Sequence, residues 1–166
     1  ARVNVQIRDF SDIDFAPFEE HKAGRPRILI VEDNPRVLQT LGYVLCDDYN
    51  LFFAKDGADG LEQCRTLQPD CIVSDVMMPR MTGTELTKAV KADPKLRNTP
   101  VILLTSKADR PARLAGYESG ADEYLSKPFD NHEVKVRISG LLKRRQIEAE
   151  AIHSEKLAAI GLLAAG

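Results

Sequence analysis

The chain has 166 residues, 43% of them apolar and 29% charged, with a formal net charge of −2. That balance suits one soluble globular domain with extensions, and the near-neutral charge argues against a nucleic-acid surface, which needs a basic excess or stripe. Apolar runs such as Val101–Leu104 are far too short to span a bilayer and no signal peptide is visible, so no membrane contact is expected of this fragment.

Residues 1–24 differ in character from the rest of the chain. Val3, Val5 and Ile7 alternate as a short strand would, and Asp9, Asp12, Asp14, Glu19 and Glu20 then dominate. This reads as an N-terminal linker whose Phe10, Phe15 and Phe18 pack on something nearby. A regular rhythm starts at Arg27. Arg27–Val31 is an apolar burst of strand length, and Asn34-Pro35 then opens a helix, Asn as its cap and Pro at its first position. Val37, Leu38, Leu41, Val44 and Leu45 share one helical face. Leu51–Ala54 reads as a second strand, Asp56 as the cap of a second helix, Cys71–Ser74 as a third strand and Thr82–Lys91 as a third helix. Val101–Leu104, Asp109–Ser119 and Glu123–Leu125 come next as strand, helix and strand, and a fifth helix begins near Asp130. Five alternations of strand and helix imply an α/β domain with a central parallel sheet. Ligands in such folds sit beyond the carboxyl ends of the strands, where the strand order reverses.

Those strand ends carry chemistry. Glu32 and Asp33 come just after the first strand, Asp75 ends the third, Thr105 and Ser106 end the fourth, and Lys127 with Pro128 lies just past the fifth. Three crowded carboxylates repel one another unless a cation joins them. Mg2+, with Mn2+ as an alternative, takes hard oxygen ligands and leaves room for a phosphoryl oxygen. A carboxylate can then attack phosphorus and form an acyl phosphate, a reaction that depends mainly on positioning and charge neutralisation. Cys46, Cys64 and Cys71 contain no Cys-x-x-Cys pair and are odd in number, so they read as plain thiols in a reducing cytoplasm. His21, His132 and His153 lack metal-ligand spacing and read as solvated, and Met77, Met78 and Met81 read as loop packing.

The stretches Ile28–Pro35, Ser74–Gly83, Leu104–Ser106 and Lys127–Phe129, each at a strand end and in this order, resemble a response-regulator receiver domain over roughly residues 27–141. The resemblance implies a flavodoxin-like (βα)5 doubly wound sheet with strand order 2-1-3-4-5, and a domain over residues 25–141. It implies that Asp75 is the phosphoacceptor, that Glu32 and Asp33 hold Mg2+ with Asp75 and the backbone carbonyl of Met77, and that Lys127 pairs with the phosphoryl group. Thr105 resembles the switch hydroxyl and Tyr124 the aromatic switch; the bond before Pro128 is often cis in the family. Glu32 stands where Asp is commoner, Met77 adds no polar group, and Lys107 brings a cation to the site mouth. The implied donor is a phosphohistidine on a histidine kinase or phosphotransfer domain, and the receiver would catalyse its own phosphorylation. Two other readings compete: a non-phosphorylated receiver-like dimerisation module, opposed by the intact set of Asp75, Thr105 and Lys127, and a small flavin-binding domain, opposed by the acidic pocket.

The fifth helix has no stop signal after Leu142. It is expected to continue to about Ile160, with Ile138, Leu141, Leu142, Ile147, Ile152, Leu157 and Ile160 as an apolar stripe that pairs two chains in a coiled-coil homodimer. Ser154–Gly166 resembles the segment just before the phosphorylated histidine of histidine-kinase dimerisation domains. Residues 142–166 thus read as a helical linker into a truncated dimerisation segment. With Ala rather than Met at position 1, the chain reads as a piece of a hybrid histidine kinase.

Overall fold

The computed structural model describes residues 13–106 and 119–165. The expected strand at Val3–Ile7 and most of the expected helix at 109–119, with Lys107, lie outside the described residues. Five parallel strands, β1 (Arg27–Val31), β2 (Asn50–Ala54), β3 (Cys71–Asp75), β4 (Val101–Thr105) and β5 (Glu123–Ser126), form one sheet in the order β2-β1-β3-β4-β5. Helices α1 (Pro35–Leu45), α2 (Gly57–Leu67) and α3 (Gly83–Ala92) connect them, and a C-terminal helix spans Asn131–Ala165.

Alternation along the strands divides the core in two. Ile28 and Ile30 of β1, Val73 of β3, and Ile102 and Leu104 of β4 face α1 and the C-terminal helix, where Leu41, Leu45, Val134, Ile138 and Leu141 meet them. Leu29, Val31, Ile72 and Leu103 face the other way, onto Leu61 and Cys64 of α2 and Leu86 and Val90 of α3. A strand covered on both faces is apolar through its middle, which is why Ile28–Val31 of β1, Cys71–Val73 of β3 and Val101–Leu104 of β4 read as unbroken bursts.

The helix starts form as their sequences dictate. Asn34 accepts a hydrogen bond from the Arg36 amide, with Pro35 opening α1; Asp56 accepts from the Asp59 amide; Thr82 and Glu85 form a reciprocal capping box on α3. The expected element ends differ from those observed by at most one residue in the strands and at each end of α3. The cis bond expected before Pro128 is present.

Phe15 and Phe18 find their packing on the domain itself. Phe18 is buried against Gly42 of α1, Tyr43 and Phe53. A Cβ at position 42 would come within 2.7 Å of the Phe18 ring, so glycine there opens the notch that the ring fills. The His21 ring nitrogen Nε2 lies 2.9 Å from the Leu51 carbonyl and its ring lies against Phe52, while Lys22 and Asn50 exchange two hydrogen bonds. His21 is therefore tied to β2 rather than simply solvated.

The C-terminal helix has 35 residues, about 52 Å at 1.5 Å per residue. Its first turns lie in the core; farther on, Arg145 donates to the Asp70 carbonyl at 3.0 Å and Arg144 lies 3.8 Å from Asp122. Beyond, Ile147, Ile152, Leu157 and Ile160 are exposed. The expected single stripe is not what forms. Ile138 and Leu141 are buried in the domain's own core, and each step of five residues, from Ile147 to Ile152 and from Ile152 to Leu157, turns the side chain by about 140°. The sequence places aliphatic side chains around the helix rather than along one line.

Phe18→Ala should destabilise the domain by about 3 kcal/mol, the lower range for emptying a buried aromatic site. Urea unfolding checks this; an unchanged midpoint would mean that residues 13–22 do not contribute to the fold.

Candidate functional site

Parallel strands all end on one edge, so the five strand ends converge. Pairing of Val31 with Ser74 and of Asp75 with Leu104 brings the residues just past β1 beside the end of β3. Carboxylate oxygens of Glu32, Asp33 and Asp75 lie within 4.8 Å of one another. Lys127, one residue past β5, reaches across: its Nζ is 3.3 Å from Glu32 Oε2 and 3.3 Å from Asp75 Oδ1. Glu32 is fully buried and Oε1 accepts from the Asn34 amide at 3.0 Å, so the α1 cap loop also orients the carboxylate.

Carboxylates outnumber ammonium groups here, and burial adds to that imbalance as the larger influence on titration. Burial, then repulsion by Asp75, pushes the Glu32 carboxyl up to about 8 against the opposing pull of Lys127. Asp75 is raised as well, chiefly by burial. Lys127 is raised by Glu32 and Asp75, which outweigh its own desolvation. A hard divalent cation fits this donor set: three carboxylates within ligand-sharing distance, with a charge deficit that one lysine does not cancel.

Thr105 ends β4 and is buried; its hydroxyl donates to the Leu125 carbonyl at 3.5 Å, facing β5. Tyr124 is buried in the core on the α3 side of the sheet. Met77 is 58% exposed on the loop after β3, whereas Met78 is buried beneath it as packing. His132 and His153 are exposed. Cys64 and Cys71 are buried, with burial pushing both thiols up to about 12. In the sequence Asp56 reads only as a cap. In the fold it also holds Arg80 of the neighbouring loop in two hydrogen bonds, at 2.7 and 3.0 Å. The pair spans 24 residues, and no local signal announces it.

A doubly wound sheet of this order, with an acidic pocket and a lysine at its carboxyl edge, defines a receiver of two-component signalling. The response regulator receiver domain family matches residues 28–139, and the chain belongs to that family. Similar proteins include hybrid signal transduction histidine kinase D of Dictyostelium discoideum, 34% identical over 89% of this chain and 10% of that protein. Histidine kinase P4 of Formosa agariphila is 43% identical over 71% of this chain and 9% of its own length. The chain thus spans about a tenth of these kinases. It is also 37% identical to the DNA-binding regulator RpaA of Synechocystis, over 80% of this chain and 56% of that protein. Among solved structures, the receiver of a signal transduction histidine kinase from Syntrophus aciditrophicus superposes with a TM-score of 0.68 at 34% identity, over 71% of this chain and 90% of that one. The receiver of a Pseudomonas aeruginosa sensor histidine kinase, described with magnesium in its active-site cleft, has a TM-score of 0.68 at 27% identity, over 72% of this chain and 98% of that one. Among the described residues, no helix is long and apolar enough to cross a membrane.

Glu32 gives the metal-free protein a distinctive pH profile. The folded state holds its proton up to about 8, against 4.5 for the ordinary carboxyl. Between those values the native state binds more protons than the unfolded state, so stability falls as pH rises. Urea unfolding in chelator should show lower stability at pH 8 than at pH 5.5, and Glu32→Gln should flatten the slope. An identical slope in the variant would show that Glu32 is not the group responsible.

Proposed function

We propose that Asp75 accepts a phosphoryl group from a phosphohistidine, with Mg2+ held by Glu32, Asp33, Asp75 and the Met77 carbonyl. The observation that carries this reading is the meeting of Glu32, Asp33 and Asp75 beside Lys127. Mg2+ would neutralise charge on the phosphoryl oxygens and leave positions open for them. An Asp75 carboxylate oxygen attacks phosphorus, the bond from phosphorus to the imidazole nitrogen breaks, and its electron pair leaves with the imidazole. Lys127 already lies 3.3 Å from Asp75 and needs only to release Glu32 to balance a phosphoryl oxygen. Thr105 turns from the Leu125 carbonyl towards that oxygen, and Tyr124 is the neighbouring aromatic whose packing adjusts in turn. Acetyl phosphate with Mg2+ should label the wild type. Asp75→Asn should abolish labelling, and Asp33→Asn should weaken Mg2+ binding strongly in isothermal titration. Undiminished labelling of the Asn variant would reject Asp75 as the acceptor.

The kinase relatives and the Ser154–Gly166 resemblance support a finer reading, in which the receiver regulates a histidine kinase through its C-terminal helix. The helix makes a homodimer through residues 147–162, since Ile138 and Leu141 are already used by the domain. Leu157–Ala165 is apolar at every position, the composition of a helix enclosed by neighbours rather than one paired along a narrow seam. Burying one such aliphatic side chain is worth about 1.5–3 kcal/mol. Light scattering should therefore show a dimer for the wild type, and a monomer for Ile147→Glu/Ile152→Glu and for the chain ended at Leu142. Equal masses for all three would remove the helix as the interface.

A further inference from the structure

The loop from Asp75 to Gly83 carries both the proposed phosphoacceptor and the proposed carbonyl ligand, Met77. Its base is fixed by backbone bonds: the Val76 amide donates to the Leu104 carbonyl at 3.2 Å, and the Gly83 amide donates to the Val76 carbonyl at 2.9 Å. A side chain at Gly83 would collide with the Asp75 carbonyl, so the loop closes tightly where α3 begins. The tip is different. Met77 and Pro79 are exposed, and apolar packing at the tip falls mainly to Met78.

Arg80 is the anomaly in this loop. Its φ is +67°, in the left-handed region that glycine adopts freely and side-chain-bearing residues seldom do. What arginine adds there is its guanidinium. Nε donates to Asp56 Oδ2 at 2.7 Å and Nη2 to Asp56 Oδ1 at 3.0 Å, a two-point contact that fixes direction as well as distance. The acceptor is itself rigid. The Asp56 side chain is 6% exposed, and Oδ1 also accepts from the Asp59 amide at 2.8 Å to cap α2. One residue along, the Gly57 amide donates to the Met81 carbonyl at 3.2 Å, and a side chain at Gly57 would strike that oxygen. Two consecutive residues of the loop, 80 and 81, are thus pinned to the start of α2.

We propose that Arg80 is a positioning residue: latched to Asp56, it holds the loop so that the Met77 carbonyl and the Asp75 carboxylate face one cation. The proposal rests on the metal-site reading above. The Arg80 side chain is 60% exposed, and an ion pair with one exposed partner contributes little to global stability. Its effect is local, on the three-residue interval between Met77 and the latch. A strained backbone kept at a site, where glycine would relieve it, points to use of the side chain.

The test titrates Mg2+ alone into wild type, Arg80→Gly, Arg80→Lys, Asp56→Asn and the Arg80→Gly/Asp56→Asn double variant. Asp33→Asn serves as the control for the metal site. Arg80→Gly removes the latch while relaxing the backbone, and Asp56→Asn keeps a capping side chain on α2. Arg80→Gly and Asp56→Asn should each weaken Mg2+ binding about tenfold, the lower part of the range for groups that orient metal ligands. The double variant should lose no more than either single, and Arg80→Lys, which lacks the fork, should fall between. The urea midpoint of Arg80→Gly should stay near wild type, and saturating Mg2+ should restore its labelling by acetyl phosphate. Unchanged Mg2+ affinity in Arg80→Gly, with affinity lost in Asp33→Asn, would overturn the latch and leave the metal site standing. Unchanged affinity in Asp33→Asn would overturn the metal site and the latch with it. A lowered urea midpoint that accounts for all the lost affinity would overturn the positioning role and leave Arg80 a brace.

Discussion

Negative charge gathered at one edge of a parallel sheet is the constraint around which this domain is arranged. Glu32, Asp33 and Asp75 meet there because β1 and β3 are neighbours running the same way. Three carboxylates in a partly dehydrated cleft would not stay ionised together without compensation. Lys127 supplies part of it, and it is delivered from the far strand by the loop after β5. Burial raises both Glu32 and Asp75, with repulsion between carboxylates adding to it and Lys127 opposing it. A divalent cation or a phosphoryl group placed there would change that balance, which is the basis of the proposed function.

Apolar packing is what allows such a site to exist. The repulsive edge is held by strands buried on both faces, with Ile28, Leu29, Ile30 and Val31 of β1 wholly inaccessible. Full burial of one aliphatic side chain is worth about 1.5–3 kcal/mol, so a handful of them outweighs a modest local repulsion. The same rigidity keeps the carboxylates from relaxing apart. Asn34 shows how closely the two demands are joined: its side chain caps α1 while its amide donates to Glu32.

The fold is legible in the sequence where local signals agree with burial. β1, β3 and β4 announce themselves as continuous apolar bursts, and Asn34, Asp56 and Thr82 mark helix starts by chemistry that acts within three residues. The positions of the site residues are legible for the same reason, because a parallel sheet converts strand ends into one edge. Two features are not. The notch at Gly42 exists only when residue 18 folds back onto α1. The Arg80–Asp56 pair depends on two loops meeting across 24 residues. In each case the information lies in the relation between distant elements, which periodicity does not report.

The C-terminal helix begins close to the site and runs well past the domain's core. Asp130, three residues after Lys127, caps its first turn through the His132 amide at 2.6 Å. Val134, Ile138 and Leu141 then seat it on the sheet. The last holds are polar: Arg144 lies 3.8 Å from Asp122, and Arg145 donates to the Asp70 carbonyl at 3.0 Å and lies 3.9 Å from the Asp70 carboxylate. Partly exposed ion pairs at such distances contribute little energy, so the apolar seat and the Arg145 hydrogen bond set the direction in which the helix leaves the domain. From Arg145 to Ala165 the rod extends about 30 Å, and a tilt of about 10° at the exit would displace its far end by about 5 Å. That sideways sway is about half the roughly 8–10 Å between the axes of packed helices. Lever length alone thus magnifies a small change of seat at Val134, Ile138 and Leu141 into a far larger displacement at the end of the helix.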